Sequence, residues 1–254
     1  GPHTFPINIG YVASYAKKIY GDRVKVRLFK FPLDLMNAIK EEKPDIVGFS
    51  NYTWNIDINS KLISWIKTSH RDIVTVFGGP DYPVEPAESS EFLKVTKDLD
   101  FYVLFQGESG FANIIKRYFE SASLSDMKRD ALENCAFYDV VKDELVACEK
   151  YNRLEDIGEI PSPYLTGVLD EFFNGNLMPL IETNRGCPYS CIYCAWGNAS
   201  QKKIFQFPIE RVKNEIEYIA KRVSGAGLLI VCDANFGIFE RDIEIAEFMK
   251  HTSE

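Results

Sequence analysis

Gly186-Cys187-Pro188-Tyr189-Ser190-Cys191-Ile192-Tyr193-Cys194 places three cysteines in one short run, spaced C-x3-C-x2-C. Structural zinc and electron-carrying iron sites usually take four protein ligands. A run of three thiolates can hold a cubane and leave one iron open to a further ligand. That open position separates a cluster that carries electrons from one that does chemistry. Two other readings stay open on spacing alone. One is a zinc site completed by Cys232, and the other is a non-catalytic electron-transfer module.

The run follows a strand expected over Leu177–Thr183, so the cysteines sit at the strand's carboxyl end. In barrel-like α/β domains that end is the chemical face. Downstream, Ile209–Val223 is amphipathic, with Val212, Ile216 and Ile219 on one side and Pro208 near its first turn. Gly227–Cys232 predicts the next strand, which delivers Asp233 and Asn235 to the same rim, and another helix begins over 240–249.

Upstream, strand-like and helix-like segments alternate. Helical spacing runs over Ile7–Ile19 and strand-like alternation over Val24–Phe29. A short helix covers Leu33–Lys40, a buried strand Asp45–Ser50 and a helix Ile56–Lys67. Strands Ile73–Phe77 and Phe101–Leu104 follow, with a helix over Gly110–Phe119. Such repetition predicts a doubly wound parallel sheet. Ligands bind these sheets at the carboxyl ends of the strands, which makes Ser50, Asn51, Tyr52, Gly78, Gly79, Gln106 and Gly107 the candidate rim. Gly78-Gly79 also reads as a simple tight turn. The first visible element is a helix where such a domain opens with a strand, so an earlier strand is expected outside these residues. Gly1-Pro2-His3 reads as a cleavage scar.

Between the two regions, Ala136–Tyr138 and Leu145–Ala147 predict a strand pair inside a small bridge, and Tyr164–Phe173 a short helix. The expected division is 4–120, 121–176 and 177–254.

The chain has 254 residues, 46% hydrophobic and 26% charged, with a net charge of −8 and no basic stripe. That disfavours a grip on nucleic acid. No apolar run approaches a membrane span. With three of six cysteines committed to a metal cluster, the rest fit a reducing, cytoplasmic setting. Cys135, Cys148 and Cys232 read as core or half-buried residues.

The cysteine run resembles the cluster motif of radical S-adenosylmethionine (SAM) enzymes. Leu177–Glu182 looks like that family's first barrel strand. Arg185-Gly186-Cys187-Pro188-Tyr189 looks like the lead-in of members carrying a cobalamin-binding domain. Ile160-Pro161-Ser162-Pro163-Tyr164 is similar to the linker of that subgroup, and Asp233-Ala234-Asn235-Phe236 to its second-strand motif. Gly78-Gly79-Pro80 and, imperfectly, Gln106-Gly107-Glu108-Ser109-Gly110 resemble the cobalamin-binding domain.

The resemblance implies a Rossmann-like cobalamin-binding sheet followed by the start of a radical SAM partial TIM-like barrel, with roughly two of about six barrel units in view. It implies a [4Fe-4S] cluster on Cys187, Cys191 and Cys194, with SAM near Tyr193, Asp233 and Asn235. It implies cobalamin on the rim residues, a small-molecule substrate and an electron donor such as flavodoxin or ferredoxin. The implied reaction is methylation of an unactivated carbon after reductive cleavage of SAM. The alternatives are a non-methylating radical reaction (cyclisation, rearrangement or sulfur insertion) and a non-catalytic iron-sulfur or binding fragment. One departure matters: His3, His70 and His251 are the only histidines, and none lies in an Asp-x-His-x-x-Gly motif. Histidine ligation of cobalt from this rim is therefore not expected. Arg185 reads either as a charge neutralising the cluster side or as a surface ion pair.

Overall fold

The computed structural model describes residues 3–148, 151–194, 203–224 and 228–252. Its contacts divide the chain into two compact units, Ile19–Arg153 and Gly1–Lys18 with Leu154–Glu254. These cut the chain differently from the division 4–120, 121–176 and 177–254. Most of helix α1, Ile7–Tyr20, falls in the unit that carries the cysteine loop. The reason is packing: Tyr11 stacks on Phe207 at 5.7 Å between ring centroids, and the Ser14 and Thr166 hydroxyls lie 3.1 Å apart.

Unit Ile19–Arg153 holds a five-stranded sheet in the order β1-β2-β3-β4-β5. Strands β1 (Ile46–Ser50), β2 (Val74–Gly78) and β3 (Phe101–Val103) are parallel. Strands β4 (Cys135–Asp139) and β5 (Glu144–Ala147) add antiparallel at one side. The helices are α2 (Pro32–Glu41), α3 (Ile56–Ser69), α4 (Pro86–Val95), α5 (Gly107–Phe119) and the single turn α6 (Leu124–Met127).

Alternate strand residues feed two cores. Val74, Val76, Phe101, Val103, Cys135 and Phe137 pack with Ile114 of α5. Phe77, Tyr102, Ala136 and Tyr138 pack with Ile63 of α3 and Leu93 of α4. Burial on both faces explains why these strands read as continuous apolar runs.

Three expectations change here. Val24–Phe29 alternates in burial but forms no ladder among the described residues; alternation makes a strand only where a neighbour supplies the hydrogen bonds. The strand pair expected inside a bridge instead extends the sheet, with Tyr102 opposite Ala136 and Val103 opposite Cys135. Helix α4 is an addition: Pro86 starts it, and Ser89 and Leu93 carry its inner face.

In the other unit, β6 (Leu180–Ile181) pairs parallel with β9 (Ile230–Val231), and β7 (Asn184–Arg185) pairs antiparallel with β8 (Phe205–Gln206). Both expected strands, Leu177–Thr183 and Gly227–Cys232, are thus shorter, and Gly227 lies outside the described residues. Helix α7, Ile209–Ala220, buries Val212, Ile216 and Ile219 as expected, and α8 covers Glu240–Thr252. The helix expected over Tyr164–Phe173 is a series of turns ending in a 3-10 turn at Asp170–Phe172. Gly167, at φ +71°, interrupts it. No helix among the described residues is long and apolar enough to cross a membrane.

Glu215 on α7 is 1% exposed and pairs with Arg211 at 2.9 Å. Burial holds its carboxyl above the usual range, and Arg211 and a Ser162 hydrogen bond offset part of this. The folded state therefore takes up a proton more readily than the unfolded chain. Stability falls as pH rises from the ordinary glutamate value of 4.5 through the folded value. Glu215→Gln should flatten that part of the profile in urea melts taken across the interval. An unchanged slope in the variant would contradict the assignment.

Candidate functional site

At the carboxyl rim of β1–β3, Asn51 is fully buried and organises the backbone. Its N–H donates to the Gly78 carbonyl at 2.7 Å and its side-chain amide to the Asp81 carbonyl at 3.1 Å. The Tyr102 hydroxyl donates to the Gly79 carbonyl at 3.0 Å, and burial pushes its pKa up. Gly79 sits at φ +140°, and a Cβ there would lie 2.3 Å from the Asn51 carbonyl oxygen. A Cβ on Gly78 would meet Val103 at an ordinary 3.4 Å. The second glycine of the pair is thus required by close backbone approach within the chain itself.

Asn55 and Asn59 both donate to the Ser50 carbonyl, at 2.9 and 3.0 Å. Tyr52 stacks on Trp54 at 4.5 Å and 12°, and the Trp54 ring is 71% exposed. Gln106 caps α5 by position and Gly107 begins it. Beside them Phe105, at φ 60° and 52% exposed, leans on Tyr151 at 4.5 Å. The rim is therefore a saturated polar floor edged by exposed aromatic rings. Of the candidate residues, the structure joins Asn51, Gly78 and Gly79 directly, and Ser50 to them through Asn59, whose amide lies 3.5 Å from the Asn51 side-chain oxygen. Tyr102 and Trp54 were not singled out from the sequence. Tyr102 reads as an ordinary strand residue, and a tryptophan four residues past a strand was the available signal for Trp54.

In the second unit the three cysteines follow β7 directly, in the described stretch that ends at Cys194. Gly186 turns the chain at φ 108°. Cys187 is buried, whereas Cys191 and Cys194 are exposed. The Cys194 N–H donates to the Cys191 carbonyl at 3.1 Å, which folds these two into one turn. Tyr193, 89% exposed, is hydrogen-bonded to the Cys191 sulfur, and that contact raises the phenol's pKa. Among the described residues, no three Cys, His, Asp or Glu side chains are grouped closely enough to hold a metal ion. The donor chemistry nevertheless fits an iron-sulfur cubane: three thiols on one loop, two of them accessible from one turn.

Asp233 is committed within the protein. Its Oδ1 accepts the N–H groups of Thr183 at 2.7 Å and Asn184 at 3.3 Å. Its Oδ2 accepts the Thr183 hydroxyl at 2.5 Å and the Asn184 amide at 2.8 Å. Burial raises its pKa and the hydrogen bonds pull the other way. Asp233 thereby ties the end of β9 to the exit of β6. Asn235 differs, because its side-chain nitrogen is buried without a hydrogen-bond partner among the described residues. Asp233→Asn should cost about 2 kcal/mol in urea unfolding, since an amide cannot accept from all four donors. Wild-type stability in that variant would dismiss the latch.

A profile of the B12 binding domain matches residues 1–115. The 2-(S-pantetheinyl)-carbapenam-3-carboxylate methyltransferase of Streptantibioticus cattleyicolor is 32% identical over 254 residues, covering 95% of this chain and 35% of that protein. The cobalamin-dependent radical SAM methyltransferase TokK of Streptomyces tokunonensis matches with the same identity and coverage. The solved structure of the cobalamin-dependent SAM radical enzyme OxsB with aqua-cobalamin and SAM superposes with a TM-score of 0.69 at 18% identity, over 99% of this chain and 35% of that one. The chain matches the cobalamin-dependent radical SAM enzymes.

The radical SAM methyltransferase TsrM from Kitasatospora setae, with tryptophan and a SAM analogue bound, shares the fold at a TM-score of 0.64 and 16% identity, covering 98% of this chain and 48% of that one. A B12-binding Rossmann-like domain is thus followed by a radical-SAM-like α/β fold. The chain spans about a third of the length of the two curated methyltransferases at 32% identity.

Proposed function

We propose that this chain carries the cofactor-holding part of a cobalamin-dependent radical SAM methyltransferase acting on an unactivated carbon of a small molecule or natural-product intermediate. The observation that carries the reading is the three-cysteine loop leaving the carboxyl side of the second unit's strands, in a chain whose first 115 residues match the B12 binding domain. The activities named for the two 32%-identical relatives support methyl transfer.

Cys187, Cys191 and Cys194 would hold a [4Fe-4S] cluster, and Asn235, with its unpartnered amide nitrogen, would meet SAM together with Tyr193. Asp233 would act on that site by fixing Thr183 and Asn184. The rim of Ser50, Asn51, Tyr52, Gly78, Gly79, Gln106 and Gly107 would receive cobalamin. With no histidine in the Asp-x-His-x-x-Gly motif, holding the corrin falls to packing against exposed rings such as Trp54. Bound together, these cofactors supply reductive cleavage of SAM and a methyl-carrying cobalt. A flavodoxin or ferredoxin would supply the electron.

A second reading has its own support. The anaerobic magnesium-protoporphyrin IX monomethyl ester cyclase of Rubrivivax gelatinosus is 26% identical over 242 residues, 90% of this chain and 41% of that protein. That relationship favours a non-methylating radical reaction as the alternative. Anaerobic iron-sulfur reconstitution with hydroxocobalamin, followed by desalting and metal counts, tests both. About four irons with one cobalt per chain supports the methyltransferase reading. Iron without cobalt favours the alternative, and neither metal overturns both.

A further inference from the structure

Arg185 is not the surface ion pair that its sequence position allowed. Its side chain is 17% exposed, and its Nε donates to Glu182 at 2.8 Å. Its guanidinium lies 4.8 Å from the Tyr11 ring centroid and 5.6 Å from that of Phe207. Those two rings stack at 13° and are each 1% exposed. Arg211 lies 4.1 Å from the Phe207 ring and is held by Glu215. A stacked aromatic pair is thus flanked by two arginines, each tethered by its own carboxylate.

The placement of this stack gives it a role. Arg185 is the last residue of β7 before Gly186 turns the chain into the cysteine loop, and Phe207 directly follows β8, where the chain returns. The Phe207 N–H donates to the Thr183 carbonyl at 3.0 Å. One guanidinium at the end of β7 therefore also touches the residue that follows β8, through a platform supplied by α1.

We propose that Arg185 is a positioning residue for the cluster loop and that Tyr11, from the N-terminal helix, is the surface that holds it. The proposal rests on the iron-sulfur reading above. Its logic is geometric: cation–π contact and a carboxylate tether fix the direction of the guanidinium, and through it the exit of the strand two residues before Cys187. A cation fixed there also favours the more negative, reduced cluster. Among the described residues the Tyr11 hydroxyl has no hydrogen-bond partner, so its ring does the holding.

The test uses the full chain after anaerobic reconstitution, reading iron per chain and the fraction of cluster reduced at one fixed poise by electron paramagnetic resonance. Far-ultraviolet circular dichroism checks the fold of each variant. Arg185→Gln should lower the reduced fraction about threefold, the scale of one charge partly offset by its own carboxylate, and should also lower iron. Arg185→Lys keeps the charge but loses the planar stack, so iron should fall while the reduced fraction of the remaining cluster holds. Tyr11→Phe should match wild type, and Tyr11→Leu should lose iron. Wild-type values in Arg185→Gln, or equal damage from Tyr11→Phe and Tyr11→Leu, would overturn the proposal. Absence of iron in the wild-type chain would overturn the iron-sulfur reading itself and the proposal with it.

Discussion

On the proposed function, Cys191→Ala is expected to reduce the reconstituted chain from about four irons to background, without measurable loss of stability. The Cys191 side chain is exposed and carries no core packing, so its truncation should stay within about 0.5 kcal/mol in the metal-free protein. The same substitution at Cys187 is less clean, because that side chain is buried. Cys232→Ala is the informative partner. A zinc site completed by a fourth thiol loses its metal in that variant, whereas a three-thiolate cluster keeps its iron. Iron and zinc counts on Cys191→Ala, Cys232→Ala and wild type decide between them. Retention of iron by Cys191→Ala removes the loop as the ligand set.

Gly79→Ala is expected to be the most damaging small substitution at the carboxyl rim of β1–β3. Alanine rarely adopts φ +140°, and its Cβ would be 2.3 Å from the Asn51 carbonyl oxygen and 3.0 Å from the Asn51 nitrogen. The obstacle is backbone, so no rotamer change relieves it. Strain and overlap together should cost about 3 kcal/mol or more, lowering the melting midpoint by about 10 °C. Moving Asn51 would also disturb its bond to the Gly78 carbonyl and the Tyr102 bond to Gly79, so cobalt retention after reconstitution should fall as well. Gly78→Ala is the control. Its new methyl meets Val103 at 3.4 Å, and its cost should stay near 1 kcal/mol. Equal melting of the two variants would refute the close-approach account.

The first sheet was legible because its strands are buried on both faces. The expected strand Asp45–Ser50 became Ile46–Ser50, and Ile73–Phe77 became Val74–Gly78. A continuous apolar run bounded by turn residues carries that signal locally. That three cysteines share one short run is equally local, because it is read from spacing alone. What failed depended on a second segment. Val24–Phe29 has the alternation of a strand, but a strand is defined by its neighbour. The helical spacing of Ile7–Ile19 predicted α1, yet nothing in its pattern told that Tyr11 would stack on Phe207, 196 positions later. Asp233 was expected to face SAM, and the structure spends its carboxylate on Thr183 and Asn184.

By itself the sequence determined the two α/β segments, the glycine pair at the end of β2 and the three thiols on one loop. All of these follow from local period, turn chemistry and ligand type. Only the tertiary structure decided which unit α1 joins, why Gly79 has to be glycine, and what Arg185 and Asp233 touch. Those answers depend on hydrogen bonds, ring contacts and backbone approach between residues distant in the chain, and such pairings leave no mark on the sequence around either partner.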